Sequence, residues 1–452
     1  MTNGNGISRR RFLGAGAAVV GAAAIGPVVP AVLAANPRGK GERLVPPGLF
    51  GIQHWSIRDA VSRRSIASSL AAGLQPTMGY LGGPSFPEDP TDLGPLVPLP
   101  GGYIEVFAFL ASHGYRGFEF FQLTQNSNEF SPPRQPTVAE IRSYLDNAGL
   151  SGQGNHQASL GAMFDPAANG GAGGLSATGL THVANAHVLG LPMLGTAGDP
   201  SGRNTLANNP TNPNQIGYAE AARRANIVGQ ALAAEGLKWY WHVEQNGYNG
   251  FDPAVHPELA GINRMQWFFD NTDPGLVFVE PDTFHAYAGR ARFPFPDGSL
   301  FDIVGWWMAN AHRNVAWHVK DGTRVAPQPA PPTNPFTQNV VRPGFPLGTG
   351  TDALYIGEGT IGQGYPVDPD PAVIGFRTLF DDVPGKGDRF YMTESDGTQG
   401  GSTDPGRSLR HARLAAQYLL GLRAGPNSGA TAVVAAGVPT EGQESHGDAS
   451  EH

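Results

Sequence analysis

The chain has 452 residues, with 30 lysines and arginines against 38 aspartates and glutamates, and it contains no cysteine. The acidic excess argues against nucleic acid and anionic membranes as partners, because both carry negative charge themselves. Without cysteine, neither disulfides nor thiolate chemistry contribute, so we expect the fold to depend on its hydrophobic core alone.

The first 35 residues have the pattern of an export signal. Ser8 to Leu13 read SRRRFL, an apolar run rich in alanine and glycine follows, and Val32 to Ala34 supply small residues for cleavage. This pattern predicts a twin-arginine signal peptide over residues 1–35, a transient encounter with the twin-arginine translocon, and a periplasmic or extracellular destination. A retained anchor is the alternative. Gly26 and two prolines interrupt the apolar run, so we expect no stable membrane anchor.

Strand-like and helix-like segments alternate over residues 41–425. Short apolar runs predict eight strands: Gly48 to Ile57, Gly117 to Leu123, Ser151 to His156, Pro192 to Gly195, Leu237 to Val243, Leu276 to Val279, Asn314 to Trp317 and Phe390 to Thr393. Seven helices are predicted: Tyr103 to His113, Val138 to Ala148, Leu180 to Leu189, Gly217 to Glu235, Leu259 to Phe269, Ile303 to Ala311 and Ser408 to Leu422.

Eight strands that alternate with helices predict an α/β fold, a (β/α)₈ TIM barrel that occupies residues 41–425 as one domain. A doubly wound open sheet is the competing fold, but no Gly-x-Gly-x-x-Gly motif follows the first strand. Residues 426–452 are rich in Gly, Ala, Ser and Glu without apolar periodicity, which predicts a disordered tail.

Three segments, residues 72–102, 158–174 and 325–350, are too long to be plain connections. They follow strands one, three and seven, so all three would overhang the carboxyl ends of the strands. We expect long loop insertions on the active face that act as functional loops or lids, with surface padding as the alternative. An insertion could also be an interface between copies of the chain, which leaves a homo-oligomer open.

Four ionisable residues each follow a predicted strand: Glu244, Asp282, His318 and Glu394. In a TIM barrel the carboxyl ends of the strands meet on one face, which would bring these side chains together. Three converging carboxylates repel each other unless a cation neutralises them. The mixed oxygen and nitrogen set suits one divalent metal ion: Mn, Mg, Co or Zn.

Five short strings, in this order at successive strand ends, carry a family resemblance: His242-Val243-Glu244-Gln245-Asn246, Asp282-Thr283-Phe284-His285, His318-Val319-Lys320-Asp321, Gly357-Glu358-Gly359 and Thr393-Glu394-Ser395. With them the chain resembles the xylose isomerase-like superfamily of TIM barrels, which holds sugar phosphate isomerases and epimerases. The Asp282 string, and Arg324 six residues after His318, look most like its ketose 3-epimerase branch, whereas the His318 and Gly357 strings look more like the broader isomerase group. The resemblance implies that Glu244, Asp282, His318 and Glu394 bind the metal, with Mn as first choice. It also implies that Glu244 and Glu394 exchange protons with a sugar through a metal-stabilised enediolate.

The resemblance further implies a set of residues that contact the sugar. The candidates are His285, Arg324, Lys320, Asp321, His156, Glu119, Trp55 and His54. An ion pair at the barrel mouth is the alternative for Lys320 and Asp321, and a satisfied core position is the alternative for Glu119 and the two histidines. His242 has the same facing as Glu244 along its strand, and we expect it to orient a ligand.

The sequence thus predicts an exported, divalent-metal-dependent isomerase or epimerase that acts on a small carbohydrate without a phosphate group. A lyase or hydrolase that acts on keto-glycosides through the same site is the main alternative. A sugar-binding protein without catalysis would show a broken ligand set, and a DNA repair enzyme would show a basic groove. The sequence does not choose the sugar.

Overall fold

Eight parallel strands form the centre of the computed structural model. They are β1 (Phe50–Gln53), β2 (Gly117–Phe120), β3 (Ser151–Asn155), β4 (Met193–Thr196), β5 (Lys238–Val243), β6 (Val277–Pro281), β7 (Ala316–Val319) and β8 (Phe390–Thr393). The structure describes residues 41–82, 94–121, 123, 134–202, 205–212, 215–322, 356, 359–364, 370–395 and 404–424. The predicted signal peptide, the predicted tail, Arg324 and the insertion at 325–350 lie outside these residues.

The strands close into a barrel in chain order. One sheet has the order β7-β8-β1-β2-β3 and the other the order β6-β5-β4, with every neighbouring pair parallel. Parallel bridges from Val279 to Asn314 and from Asp282 to His318 join β6 to β7. Beyond the end of β3, the Ala158 N–H donates to the Gly195 carbonyl of β4 over 2.8 Å. The predicted (β/α)₈ barrel is therefore confirmed.

Some predicted strand ends differ from the structure. The first predicted strand was too long, because His54–Ile57 form a 3₁₀ turn. The sixth and seventh each continue two residues further than predicted, to Pro281 and Val319. As a result, His318 lies inside β7 instead of just beyond it.

The α-helices are Arg58–Ser62, Ile66–Ala71, Gly102–Ser112, Val138–Ala148, Leu160–Met163, Ala177–Leu189, Tyr218–Ala234, Arg264–Asp270, Thr283–Arg292, Ile303–Ala309, Thr360–Gln363, Gly375–Asp382 and Arg407–Gly421. Shorter 3₁₀ turns are Pro47–Leu49, Ala168–Gly171, Gln245–Tyr248, Pro257–Leu259 and Ala311–Arg313. Within the described part of the chain, no helix has the length and apolar character needed to span a membrane.

The helix Thr283–Arg292 was not predicted. It begins directly at the end of β6, where the Asp282 carboxylate accepts the backbone N–H of His285 over 2.7 Å and so caps the helix. Arg290 and Arg292 stand in its last turn, where positive charge is favourable. This helix fixes the position of Asp282 at the rim of the barrel.

Alternation along β5 divides the buried residues between two regions. Trp239 and Trp241 point outward into the main hydrophobic core, and the Trp241 ring lies 5.3 Å from Phe268 of the helix Arg264–Asp270. Tyr240 and His242 point into the barrel. The amino-terminal part of the barrel interior is apolar and contains Met193, Tyr240, Val315 and Ala316 with Phe278 and Phe390. The carboxyl-terminal part is polar.

The described parts of two insertions pack against helices. In the first, an antiparallel hairpin pairs Met78–Tyr80 with Leu96–Pro98, and the Tyr80 carbonyl accepts from Arg410 Nη1 over 2.8 Å. In the second, a hairpin pairs Phe164–Asp165 with Gly174–Leu175, and the Phe164 ring lies 4.7 Å from the Arg224 guanidinium.

A buried metal-ligand cluster inside the barrel

Four buried side chains at the carboxyl ends of β5 to β8 converge: His242, Asp282, His318 and Glu394. One ligand atom from each lies within 4.8 Å of the ligand atoms of the others. We call this set the upper cluster. His242 and His318 belong to strands, whereas Asp282 and Glu394 are the first residues after β6 and β8. Three of the four predicted metal ligands are therefore brought together.

Direct contacts link the upper cluster to a lysine. Glu394 Oε2 lies 2.7 Å from His318 Nδ1 and 4.0 Å from His242 Nε2. The Lys320 ammonium lies 3.3 Å from the same Glu394 oxygen and 3.5 Å from Asp282 Oδ2. It also lies 3.1 Å from His285 Nε2. Lys320 and His285, both predicted to contact substrate, thus border the upper cluster.

Glu244, the fourth predicted ligand, is not part of the upper cluster. It is exposed and begins the 3₁₀ turn Gln245–Tyr248, because β5 ends at Val243. The alternation of the strand therefore stops one residue before Glu244. His242, predicted to orient a ligand, is the residue of β5 that points into the barrel and joins the cluster.

A second polar group lies one step nearer the amino ends of the strands. His156 Nε2 lies 3.1 Å from Glu119 Oε2 and 2.9 Å from Glu280 Oε2. The same two carboxylate oxygens also contact His318, whose Nε2 lies 2.6 Å from Glu119 Oε2 and 3.1 Å from Glu280 Oε2. We call Glu119, His156 and Glu280 the lower cluster. Glu119 and His156 were predicted to contact the sugar. In the structure both are buried, His156 contacts Glu119 and Glu280, and Glu119 also contacts His318.

The sequence analysis missed Glu280. It precedes Asp282 by two residues, so both point to the same side of β6. That spacing could have identified it, but the predicted strand stopped at Val279. Glu280 is fully buried, and its Oε1 accepts no hydrogen bond within the described part of the chain. His156, His242, Glu280 and His318 form a second combination whose ligand atoms lie within 4.8 Å of one another.

The lower cluster is ion-paired. Burial alone would lower the pKa of His156, but the Glu119 and Glu280 carboxylates raise it to about 9. Burial would raise the pKa of Glu280, but the His318 and His156 rings lower it to about 2. Burial and Glu280 likewise oppose ionisation of Glu119, yet His156 and His318 bring its pKa below the usual value. Both carboxylates are therefore ionised at neutral pH.

In the upper cluster, neighbouring charges compensate less completely for the effect of burial on the pKa values. Burial raises the pKa of Asp282 to about 7, since the Glu394 charge adds to burial and Lys320 only partly offsets it. Burial would lower the pKa of His318, but Glu280, Glu119 and Glu394 raise it well above its usual value. Burial and the charge on His318 keep the pKa of His242 well below its usual value.

The described residues of the two clusters do not reach charge balance. Together with the adjoining Lys320 they contain four carboxylates, Glu119, Glu280, Asp282 and Glu394, against three cationic groups, His156, His318 and Lys320. Because the pKa of Asp282 is about 7, its carboxyl is only partly ionised at neutral pH, and its ionised form adds a negative charge that the three cations do not balance. The Asp282 Oδ2 atom is buried and accepts no hydrogen bond from the residues that the structure describes, with the Lys320 ammonium 3.5 Å away. Two carboxylates and two imidazoles form a mixed oxygen and nitrogen donor set that suits Mn, Co or Zn. The upper cluster therefore fits a divalent cation.

The remaining predicted site residues lie in other surroundings. The His54 ring is 5.4 Å from Phe118 and 5.9 Å from Tyr103, both in the hydrophobic core outside the barrel. The Trp55 ring packs against the Arg58 guanidinium, 3.4 Å from the ring centroid. Neither residue has a contact with the two clusters among those that the structure gives.

Asp321 holds a turn of backbone. Its carboxylate accepts the N–H groups of Gly359 over 3.1 Å and Gly362 over 2.8 Å. Asp321 was predicted to contact the sugar or to pair with Lys320. In the structure it fixes the segment that leads into the helix Thr360–Gln363.

No family model matches the chain, and no curated protein matches it. Solved structures are similar to it at low identity. A sugar phosphate isomerase/epimerase from Parabacteroides distasonis ATCC 8503 is 15% identical, with 83% of this chain and 94% of that chain covered and a TM-score of 0.45. An L-ribulose 3-epimerase is 14% identical, with 82% and 94% covered and a TM-score of 0.42. A xylose isomerase-like TIM barrel protein from Mycobacterium smegmatis in complex with magnesium is 14% identical, with 71% and 88% covered and a TM-score of 0.36. The solved structures to which this chain is similar thus include xylose isomerase-like TIM barrels and sugar isomerases or epimerases.

Proposed function

We propose that the protein is a divalent-metal-dependent isomerase or epimerase of an unphosphorylated sugar. One observation carries this proposal: the upper cluster of two carboxylates and two imidazoles is buried at the carboxyl ends of β5 to β8. Catalytic groups of TIM barrels lie at these strand ends. Asp282 Oδ2 accepts no hydrogen bond from the described residues, and the negative charge of an ionised Asp282 is not balanced by the three cations, which together supply the reason to bind a cation there.

The proposed ligands are His242, Asp282, His318 and Glu394, and Mn is the first choice of metal. A divalent cation at this position would polarise a carbonyl or hydroxyl oxygen of the sugar and make the neighbouring C–H more acidic. Its charge would also offset the negative charge in excess within the two clusters.

Carboxylates of this chain would carry the proton in the reaction. Burial opposes ionisation of Glu394, but Lys320 and His318 hold its pKa well below the usual value, so it is a carboxylate at neutral pH. It would accept the proton from the carbon beside the carbonyl, while the C–H electron pair moves toward the carbonyl oxygen and gives an enediolate. Return of a proton to the opposite face gives the epimer. Return to the neighbouring carbon, with the hydroxyl proton passing to the former carbonyl oxygen, gives the isomer.

Glu244, His285 and Lys320 would complete the reaction site. Glu244 is an exposed carboxylate directly after β5, at the carboxyl-terminal end of the barrel, and is the proposed second proton carrier. His285 and Lys320 lie 3.1 Å apart beside the upper cluster and would hold sugar hydroxyls. No glycine-rich phosphate loop occurs in the sequence, which favours a sugar without phosphate.

Uptake of deuterium from D₂O into a panel of ketoses, aldoses and 3-keto-glycosides tests the proposal. We expect exchange with at least one sugar in the metal-loaded protein, no exchange with Glu394→Gln, and unchanged exchange with Glu235→Gln, which alters an exposed glutamate of the same chain. Product analysis then separates an inverted centre or a moved carbonyl from elimination of a substituent, the outcome expected of a lyase. Absence of exchange with every sugar would overturn the proposal.

We propose export as well, on the SRRRFL motif of Ser8 to Leu13. Cell fractionation of the full chain and of a variant with Arg9 and Arg10 changed to lysine tests it. Export predicts that the wild type leaves the cytoplasm and the variant stays there. Equal distribution of the two would contradict export by this route.

A further inference from the structure

Glu119 is a fully buried carboxylate inside the barrel. A buried charge is costly unless hydrogen-bond donors surround it. The Tyr240 hydroxyl donates to its Oε1 over 2.6 Å, and Oε2 lies 2.6 Å from His318 Nε2 and 3.1 Å from His156 Nε2. Both oxygens of Glu119 are therefore engaged, each by a different strand of the barrel.

The His318 ring has carboxylates on both sides. Nδ1 faces Glu394 at 2.7 Å, in the upper cluster, whereas Nε2 faces Glu119 at 2.6 Å and Glu280 at 3.1 Å, in the lower cluster. Ionised carboxylates only accept hydrogen bonds, so the proton on Nε2 is held by the lower cluster. When a cation occupies the upper cluster, Nδ1 is then the nitrogen whose lone pair is free to bind it.

Glu119 is better placed than Glu280 to hold the proton on His318 Nε2. Its contact with His318 is 0.5 Å shorter, at 2.6 Å against 3.1 Å. Tyr240 also fixes the orientation of the Glu119 carboxylate, whereas Glu280 Oε1 accepts no hydrogen bond from the described residues. A carboxylate that is held at both oxygens restrains the ring that it contacts.

We propose that Glu119 is a positioning residue, oriented by Tyr240, that fixes the His318 ring so that Nδ1 faces the metal position of the upper cluster. This inference rests on the proposed function in one respect, namely that the upper cluster binds a divalent cation. A carboxylate behind a ligating histidine raises the basicity of the ring and sets its orientation.

Binding of Co²⁺ to the full chain without sugar tests the inference, with affinity from calorimetry and ligand geometry from the visible absorption of Co²⁺. We expect Glu119→Gln to weaken binding about ten- to a hundredfold and to change the Co²⁺ spectrum. We expect Tyr240→Phe to weaken it by a smaller factor, on the order of threefold, because the carboxylate stays but loses its orienting donor. Glu280→Gln, the same chemical change in the same cluster, is the matched control and should cost less than Glu119→Gln.

Three results would overturn the inference. One is Co²⁺ affinity and spectrum unchanged in Glu119→Gln. Another is two Co²⁺ ions per wild-type chain with one lost in Glu119→Gln, which would make Glu119 a ligand of a second metal site in the lower cluster. If Glu119→Gln does not fold, Tyr240→Phe decides, and an affinity equal to that of the wild type overturns the inference.

The outcome is independent of the sugar reaction. Lack of deuterium exchange in the wild type, with the Co²⁺ affinities ranked as expected, would refute the proposed sugar reaction and leave Glu119 as a positioning residue. Exchange in the wild type without that ranking would refute the role of Glu119 alone. A wild type that binds no divalent metal would overturn both.

Discussion

The Lys320 ammonium contacts both carboxylates that a metal in the upper cluster would bind. It lies 3.5 Å from Asp282 Oδ2 and 3.3 Å from Glu394 Oε2, the residues that the upper cluster offers to a cation. A lysine here neutralises these carboxylates in the metal-free protein and repels an incoming cation. We therefore expect Lys320→Met, which keeps the length of the side chain without its charge, to bind the metal more tightly than the wild type.

The structure sets the size of this effect. Two unit charges about 4 Å apart interact by about 4 kcal/mol at an effective dielectric of about 20. Part of that energy is recovered when the lysine moves or Asp282 takes up a proton, so we expect a net gain of about 1.5 to 3 kcal/mol in metal binding. This corresponds to an affinity about ten- to a hundredfold higher.

Calorimetric titration with Mn²⁺ at neutral pH measures the change. Lys238→Met is the matched control, because Lys238 is exposed at the start of β5 and its ammonium lies 5.0 Å from the Phe278 ring instead of in the upper cluster. The metal-free Lys320→Met protein should be less stable by about 3 to 5 kcal/mol, because two buried carboxylates lose a partner. Weaker Mn²⁺ binding by Lys320→Met would refute the competition and show that the ammonium supports the metal site.

Three further predictions follow from the same structure. His242→Gln should weaken metal binding about a hundredfold, because it removes a ligand. Glu244→Gln should bind metal as the wild type does and lose deuterium exchange. If metal titrations show normal binding by His242→Gln and weakened binding by Glu244→Gln, Glu244 is the ligand. Metal affinity should fall with decreasing pH. Burial raises the pKa of Asp282 to about 7, so below that pH its carboxyl must lose a proton before it can bind the metal. The carboxylates around His318 raise its pKa well above the usual value, so His318 must also release a proton when the metal binds. Calorimetry in buffers of different ionisation enthalpy should thus show about two protons released below pH 7 and about one above it, and an affinity flat across this range would contradict the ligand set. Thr137→Ala should lower the unfolding free energy by about 1 kcal/mol in chemical denaturation, since Thr137 and Glu140 form a capping box at the start of the helix Val138–Ala148, while Ser143→Ala on the same helix serves as control.

The fold was largely predictable because each strand is a short apolar run with helix signals between. Val138–Ala148 was predicted to the residue, since Thr137 and Gly149 mark its two ends. Alternation also gave the correct facing of His242 and His318 within their strands. What alternation does not provide is the residue at which a strand ends. Glu244 was assigned to the metal by the family resemblance. Its strand was predicted to end at Val243, as it does, and the chain turns there, so alternation does not fix the direction of the Glu244 side chain.

The pairing across the barrel could not be predicted at all from one chain. Glu119 and His318 stand 199 residues apart and belong to β2 and β7, which do not pair with each other. Their contact depends on the tilt and stagger of all eight strands around a shared interior. Sequence patterns describe which side of a strand a residue faces, and they leave open which distant strand supplies its partner. The same limit concealed the lower cluster as a unit.

Asp282 uses its two carboxylate oxygens for different purposes. Oδ1 accepts the His285 N–H at the start of the helix Thr283–Arg292, and Oδ2 belongs to the upper cluster and accepts no hydrogen bond from the described part of the chain. Asparagine caps helices about as well as aspartate, whereas alanine does not. Asp282→Asn should therefore give a folded but inactive protein, suited to crystallography with an unreacted sugar. Asp282→Ala would remove the metal ligand and the helix cap together, so its loss of activity could not be assigned to either one. At this position the exchange of one oxygen for one nitrogen separates the role of Asp282 in capping the helix from its role in binding the metal.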